Sequence, residues 1–296
     1  MSAPYLRDLV ADTSYEAPAA HGLRERVKAY AARRSTAEDH GDVLGPLVVP
    51  DTELPLVQGT VAALGADEID VVVAVTGGAG AIEPAVRWAT RQERLRLVGL
   101  TAAVRDLDDL ARGAHRVVAM VGQLEAEGLL EDVDVQVGLP LHARTEGSLR
   151  WQHALDTLAS QDLRLVLRTG GADPEEVPSA ETLAGAVGDA LDREVAFSCR
   201  GDLAHAVAWR EPDTGRVRHG FLNVLLATRA SLDGGDVGAV AERLALTASE
   251  RVVTELGVIG ESSLESARRW FTGVGSEDVD ASLADLRALS LLGPTN

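Results

Sequence analysis

Lysine occurs once in this chain, at position 28. It lies in RERVKAYAARR, an amphipathic segment ahead of the first recognisable strand. A Schiff-base lysine needs a pocket in which burial or a neighbouring cation lowers its pKa. Lys28 has charged helix neighbours instead, which argues against imine-forming aldolase chemistry and covalent pyridoxal phosphate. Cysteine also occurs once, as Cys199. That excludes an intramolecular disulfide and a cysteine-based zinc site. Aromatic residues make up only 3% of the chain, so Val, Leu, Ala and Ile must fill its core. A basic face is missing too: the formal net charge is −18. Nucleic acid and anionic membranes, which attract basic surfaces, are not expected partners. The start, MSAPYLRDLV, lacks the basic opening and apolar run of a signal peptide. No stretch is long and apolar enough to span a bilayer. A cytoplasmic location is expected. Solenoid repeats, low-complexity tracts and an internal domain linker are absent.

What is present is a rhythm. With 296 residues, 46% of them hydrophobic, the chain can bury a sizeable core. Residues 1–44 read as a helical prelude, with Leu23, Val27, Tyr30 and Ala31 at helical spacing. Strands are expected at 46–50, 69–76, 95–101, 133–140, 163–168 and 194–199, with helical segments between them. The second run, IDVVVAV, is apolar throughout, as suits a strand buried on both faces. Pro84 fits the first turn of a helix, and Ser179 fits an N-cap. After the sixth strand the rhythm changes. A polar excursion turns at Pro212–Gly215, and FLNVLLATRASL and DVGAVAERLALT read as helices. A seventh strand is expected at 250–256 and an eighth at 270–276. Alternating strands and helices imply parallel βα units, and eight units in about 250 residues is the usual size of a (β/α)₈ barrel. The expected fold is therefore α/β: a single (β/α)₈ TIM-type barrel over 45–296, with an N-terminal helical extension over 1–44 and a helical insertion after strand six. A doubly wound open parallel sheet is the runner-up.

Several motifs carry a resemblance. RTGG at 168–171, FSCRGDLAH at 197–205, HGFLN at 219–223 and VGSEDV…DLRALSLL near the C-terminus resemble an uncharacterised bacterial (β/α)₈ barrel family. That family carries K-x-R-T-G-G, F-K-x-T-A-G-L-H-H, H-H-G-F-L-N and a terminal F-G-S-C-S-F. The resemblance covers most of residues 45–292 and implies the barrel fold, but it names no reaction. Val166 and Ser198 stand at the family's two lysines, Ala204 and Arg218 at two of its histidines, and Glu277 at its terminal cysteine. The chain reads as a diverged member.

In such a barrel the residues after the strands' C-terminal ends face one mouth. Asp51, Thr76, Thr101, Arg105, His142, Arg144, Arg168, Arg200, Asp202, His205 and Ser276 would gather there. Arg168 could grip a carboxylate or phosphate through two parallel hydrogen bonds, or form a strand-end salt bridge. Thr169, Gly170 and Gly171 could supply further donors, or only make the turn. Arg200, Asn223 and Ser276 complete the candidate substrate-binding set, although Asn223 could equally brace a loop. His205 and His219 are candidate general acid and base, with Asp202 orienting His205; either imidazole could instead be structural. TGGAG at 76–80 is neither a P-loop nor a dinucleotide fingerprint. Cys199 reads as a small buried residue rather than a nucleophile. No cofactor is called for, and a divalent metal at Asp51 and Asp202 has no further support. Two functions stay open: an acid–base lyase or isomerase on a small anionic metabolite, and a barrel that has lost catalysis and serves as a binding or partner subunit. Homo-oligomerisation is compatible with either.

Overall fold

The computed structural model describes residues 2–17, 21–35, 42–65, 68–104, 108–146, 148–171 and 177–293. Eight parallel strands close into a barrel: β1 (Val10–Asp12), β2 (Leu44–Pro50), β3 (Ile69–Val75), β4 (Leu95–Ala103), β5 (Asp134–Gly138), β6 (Arg164–Arg168), β7 (Phe197–Arg200) and β10 (Phe271–Ser276). A two-stranded antiparallel hairpin, β8 (Trp209–Arg210) and β9 (Val217–Arg218), follows β7. This is the expected TIM-type barrel. An open doubly wound sheet is ruled out because β1 pairs with both β2 and β10.

Two expectations need correction. Residues 1–44 are not an extension outside the barrel, because Val10–Asp12 is its first strand. Three residues are too few to show strand periodicity, and only pairing on both sides makes them a strand. The expected strand at 250–256 lies inside the helix Ser249–Ile259. Its β-branched Val252 and Val253 suggested a strand, but the buried residues Val252 and Leu256 are four apart and form a helical stripe.

The helices start and stop where local chemistry allows. Asp109 and Ser179 accept the backbone N–H groups of Arg112 and Thr182 at the starts of Leu110–Ala126 and Ala180–Leu191. The expected helix at 221–232 is present as Phe221–Leu232.

Alternation along the strands sorts side chains into two environments. Leu165 and Leu167 of β6, and Val135 and Val137 of β5, join the large apolar core shared with the helices. Arg164, Val166 and Arg168, and Asp134, Gln136 and Gly138, line cavities within the barrel. The barrel's own apolar cluster is small: Val48, Val72 and Ala74, with Ala11, Tyr15 and Val98 packed on it. A cavity of about 320 Å³ occupies the N-terminal half. Its edge is polar, with Asp134 paired to Arg164 and Asp70 to Arg96 across neighbouring strands.

Closure rests on β1. Its neighbour β10 carries glycine at 273 and 275, and a Cβ there would lie 2.9 Å from the Leu9 carbonyl and 2.6 Å from Thr13 Cγ2. Arg33, from the helix Leu23–Ser35, reaches Asp12 at 3.2 Å and Asp280 at 2.8 Å. Half-buried Arg268 donates to the carbonyls of Phe271 and Arg7. Deleting residues 1–13 leaves β2 and β10 as unpaired edges. The truncated chain is expected to lose its cooperative thermal transition and to aggregate. A cooperative melt followed by circular dichroism would show instead that the strand is dispensable.

Candidate functional site at the barrel mouth

A cavity of about 400 Å³ opens at the C-terminal mouth of the barrel. Its floor and walls come from the ends of β3 to β7 and from the turn after β1. Ala103, Val104, Leu139, Pro140 and Val166 make an apolar wall, with Thr76, Thr101 and His142 among them. The charged lining residues that the structure describes are Arg168, Arg200 and Glu16.

Arg168 and Arg200 are register partners on β6 and β7. They differ in exposure. The Arg168 side chain is half exposed and lies 3.6 Å from Glu16 Oε2. Arg200 is only 6% exposed and lines both the mouth cavity and the one beneath it. Among the described residues no carboxylate lies within ion-pair distance of it. Burial pushes the Arg200 pKa down, and the Arg168 charge pushes the same way; Tyr15 and Glu16 oppose both. A guanidinium nevertheless keeps its charge at neutral pH.

Tyr15 and Glu16 belong to the short 3-10 turn Ser14–Glu16, which follows β1. The Tyr15 hydroxyl donates to Glu16 Oε1 at 2.7 Å. Burial, then the neighbouring Glu16 charge, holds the phenol's pKa far above its ordinary value, so it stays protonated. Glu16 Oε2 is buried without a hydrogen-bond partner, and so are the hydroxyls of Thr13 and Ser14 beside it. Buried polar groups usually find partners, and of these three only Glu16 belongs to the lining of the mouth cavity. Sequence reasoning missed this turn, because Tyr15 and Glu16 are adjacent to a strand that has no periodicity.

The other candidates divide. Thr76 and Thr101 line the mouth, but Thr76 donates its hydroxyl to Asp51 Oδ1 at 2.6 Å and its N–H to Asp51 Oδ2. Asp51 therefore ties β2 to β3. Arg144 pairs with Asp189 at 2.6 Å, and Trp151 donates to the same oxygen. Arg105 lies outside the described residues. Thr169 is buried and clamps two strand ends, donating to the carbonyls of Arg200 and Gly201 at 2.8 Å each, from its N–H and its hydroxyl respectively. Gly170 and Gly201 touch: a Cβ on Gly201, whose φ is +88°, would lie 2.2 Å from the Gly170 carbonyl oxygen. These residues make the turn rather than offering it to a ligand. Gly171 is half-buried beyond it.

The expected His205–Asp202 pair does not form. Asp202 Oδ2 accepts from Arg218 at 2.6 Å, and its N–H donates to Glu277 Oε1 at 2.7 Å. Arg218 and Glu277, two departures from the resembled motifs, thus meet in one network. His205 Nδ1 lies 3.0 Å from Asp285 Oδ2 instead. It lines a separate cavity of about 370 Å³ with Trp209, Thr247 and Ser249. His219 is 2% exposed, with Nε2 2.9 Å from the Pro178 carbonyl oxygen. It lines neither the mouth nor the His205 cavity, so the expected acid–base pair is not brought together. Ser276 is fully buried against Ser282 at 2.9 Å. Asn223 is fully buried as well and braces the chain: it accepts the Ala208 N–H and donates to the Arg243 and Leu246 carbonyls. Neither reaches the mouth, because both are consumed by partners within the fold. Burial likewise pushes the Cys199 thiol well up, which leaves it protonated. Val166 and Ser198, where the resembled family carries lysines, face the barrel interior. Lys28 lies exposed on the helix Leu23–Ser35.

Fold and site together define a (β/α)₈ barrel whose mouth is lined by two arginines. No family model matches the chain. No curated protein matches it in sequence. Among solved structures, a tetrameric deoxyribose phosphate aldolase from Aeropyrum pernix is similar, with a TM-score of 0.50 and 11% sequence identity, over 97% of this chain and 93% of that one. At that identity the likeness shows the fold alone.

Two outcomes follow from the buried polar groups. Asn223→Ala strands one N–H and two carbonyls and is expected to cost about 2–4 kcal/mol. Urea denaturation measures it, and a loss below about 1 kcal/mol would mean water replaces the amide. For His219, burial lowers the pKa from its ordinary 6.5, with the Pro178 and Leu244 carbonyls opposing. Below that value the unfolded chain binds the proton and the folded chain resists it, so stability is full above about pH 6.5 and falls as pH drops. His219→Gln is expected to flatten this slope between pH 7.5 and 5 in denaturation series.

Proposed function

We propose that the chain is an enzyme acting on a small anionic metabolite, by acid–base lyase or isomerase chemistry without a Schiff-base lysine. The carboxylate or phosphate of the substrate sits against Arg200, with Arg168 at the rim. The observation that carries this reading is Arg200 itself. A buried cation with no carboxylate at ion-pair distance among the described residues costs several kcal/mol, and here it opens onto a cavity. An anion entering that cavity supplies the missing partner. Glu16 Oε2, with no donor of its own, is the atom placed to take a proton. The protonated Tyr15 hydroxyl holds the other carboxylate oxygen and keeps Glu16 in position. Carbonyl polarisation falls to Arg200, which replaces the electron sink that an imine would provide.

The aldolase with the similar fold acts, by its name, on a phosphate ester and is a tetramer. We extend to this chain only a small anionic substrate and assembly into a homo-oligomer. Two features favour an enzyme over a catalytically silent partner subunit. The described residues leave a cavity of about 400 Å³ at the mouth, and the apolar run Phe221–Thr228 is buried in the fold rather than offered to a partner.

Thermal shift against small carboxylates and phosphate esters tests the proposal. A ligand at about 100 times its dissociation constant adds roughly 2.7 kcal/mol. The shift is expected with one anion class and is expected to vanish in Arg200→Gln. A wild-type protein indifferent to every anion would sink the reading.

A further inference from the structure

We propose that Glu16 and His142 act as a pair on opposite faces of the substrate, so that the mouth inverts the configuration at C2 of a small 2-substituted carboxylate, as a racemase or epimerase does. This rests on the anion site and the Glu16 base proposed above and names the reaction they serve. The ring of strands carries the argument. In the closed order β1-β2-β3-β4-β5-β6-β7-β10, β1 and β5 are four steps apart in either direction, so they stand across the barrel from each other. Glu16 lies four residues beyond the end of β1, and His142 four residues beyond the end of β5. Both line the same cavity. Two groups able to carry a proton therefore reach a ligand from opposite sides.

The two remaining sides set how a ligand lies between them. Arg168 and Arg200 end β6 and β7, on one arc of the ring between β5 and β1. Ala74, Val75, Ala103 and Val104, from β3 and the end of β4, line the cavity on the other arc. A carboxylate held by Arg200 points the rest of the molecule at that apolar arc and leaves C2 between Glu16 and His142. The Tyr15 hydroxyl occupies Glu16 Oε1 at 2.7 Å, and Oε2 accepts no hydrogen bond among the described residues, so Oε2 is the atom that meets C2. The step then balances. Glu16 Oε2 takes the C2 hydrogen as a proton, and the C–H electron pair moves into the carboxylate as an enediolate stabilised by the Arg200 guanidinium. The imidazolium of His142 returns a proton to the opposite face of C2, and both groups are reset by proton exchange with water. Imidazole serves as an acid as readily as a base, so the same pair runs the reverse reaction with the roles exchanged. No oxidant, reductant or co-substrate is needed.

Proton NMR in D2O with the separate enantiomers of lactate, 2-hydroxybutyrate and mandelate tests the inference. Wild type is expected to invert at least one of these acids, placing deuterium at C2 of the product enantiomer while the remaining substrate keeps its hydrogen. His142→Asn and Glu16→Gln are each expected to slow inversion at least about 100-fold. Each variant is still expected to exchange the C2 hydrogen with retention in one enantiomer, and the enantiomer differs between the two variants, because each keeps the base of one face. A merely structural role would not give that mirrored pattern. Gln keeps the acceptor for Tyr15 and His142 is exposed, so both variants are expected to fold. Exchange of the same enantiomer in both variants, exchange lost from both, or inversion untouched by His142→Asn overturns the pairing. A wild type that binds these acids in thermal shift yet exchanges none overturns it too and leaves the anion site standing. Failure of all these acids to bind also overturns it, and the anion site falls with it only if glycerol 3-phosphate fails to bind as well.

Discussion

The parallel pairing of Val10–Asp12 with strands on both sides closes the barrel, and everything at the mouth depends on that closure. So short a strand brings few ladder bonds of its own. It is held by what surrounds it: Arg33 from the following helix, Arg268 joining the Arg7 carbonyl ahead of it to the Phe271 carbonyl of β10, and the glycines of β10 that admit its backbone. The turn leaving β1 then has one direction to go, across the mouth. Closure and site are thus one piece of chain. Any change that loosens β1 also moves Tyr15 and Glu16.

Within the ring, the strands divide labour by alternation. Outward residues meet the helices in a large apolar core. Inward residues leave two cavities, and Arg200 lies between them. TIM-type barrels usually fill this space with layers of branched side chains. Here the inward positions include Ala74, Gly99, Gln136, Gly138 and Ser198, which fill little of it. The resulting hollow lets a guanidinium sit near the axis, shielded from bulk water yet open to a small ligand. In a chain of net charge −18, a buried guanidinium that opens onto the mouth cavity is the feature that sets this end apart.

Much of the architecture was legible from local pattern. Strands β2 to β7 and β10 were each marked by an apolar run ended by a turn, and the helix cap at Ser179 is short-range chemistry. The expected seventh strand failed because β-branched residues were weighed above the four-residue spacing of Val252 and Leu256. The first strand failed for the opposite reason: its three residues carry almost no signal. The functional residues divided along the same line. Arg168 and Arg200 were found because they end clear strands. Tyr15 and Glu16 were missed because they follow the strand that could not be seen.

Sequence alone determined the α/β class, the alternation that builds a barrel, the lack of a lysine suited to imine chemistry, and the two arginines at neighbouring strand ends. These follow from composition and from contacts within a few residues. Only the tertiary structure decided which strand closes the ring, that His205 answers to Asp285 and not Asp202, that His219, Asn223 and Ser276 are spent inside the fold, and that Glu16 stands before Arg168. Those partners lie 80 residues apart for His205 and Asp285, and at opposite ends of the chain for β1 and β10. Pairings at that range are set by the shape of the closed barrel and leave no trace in the local pattern.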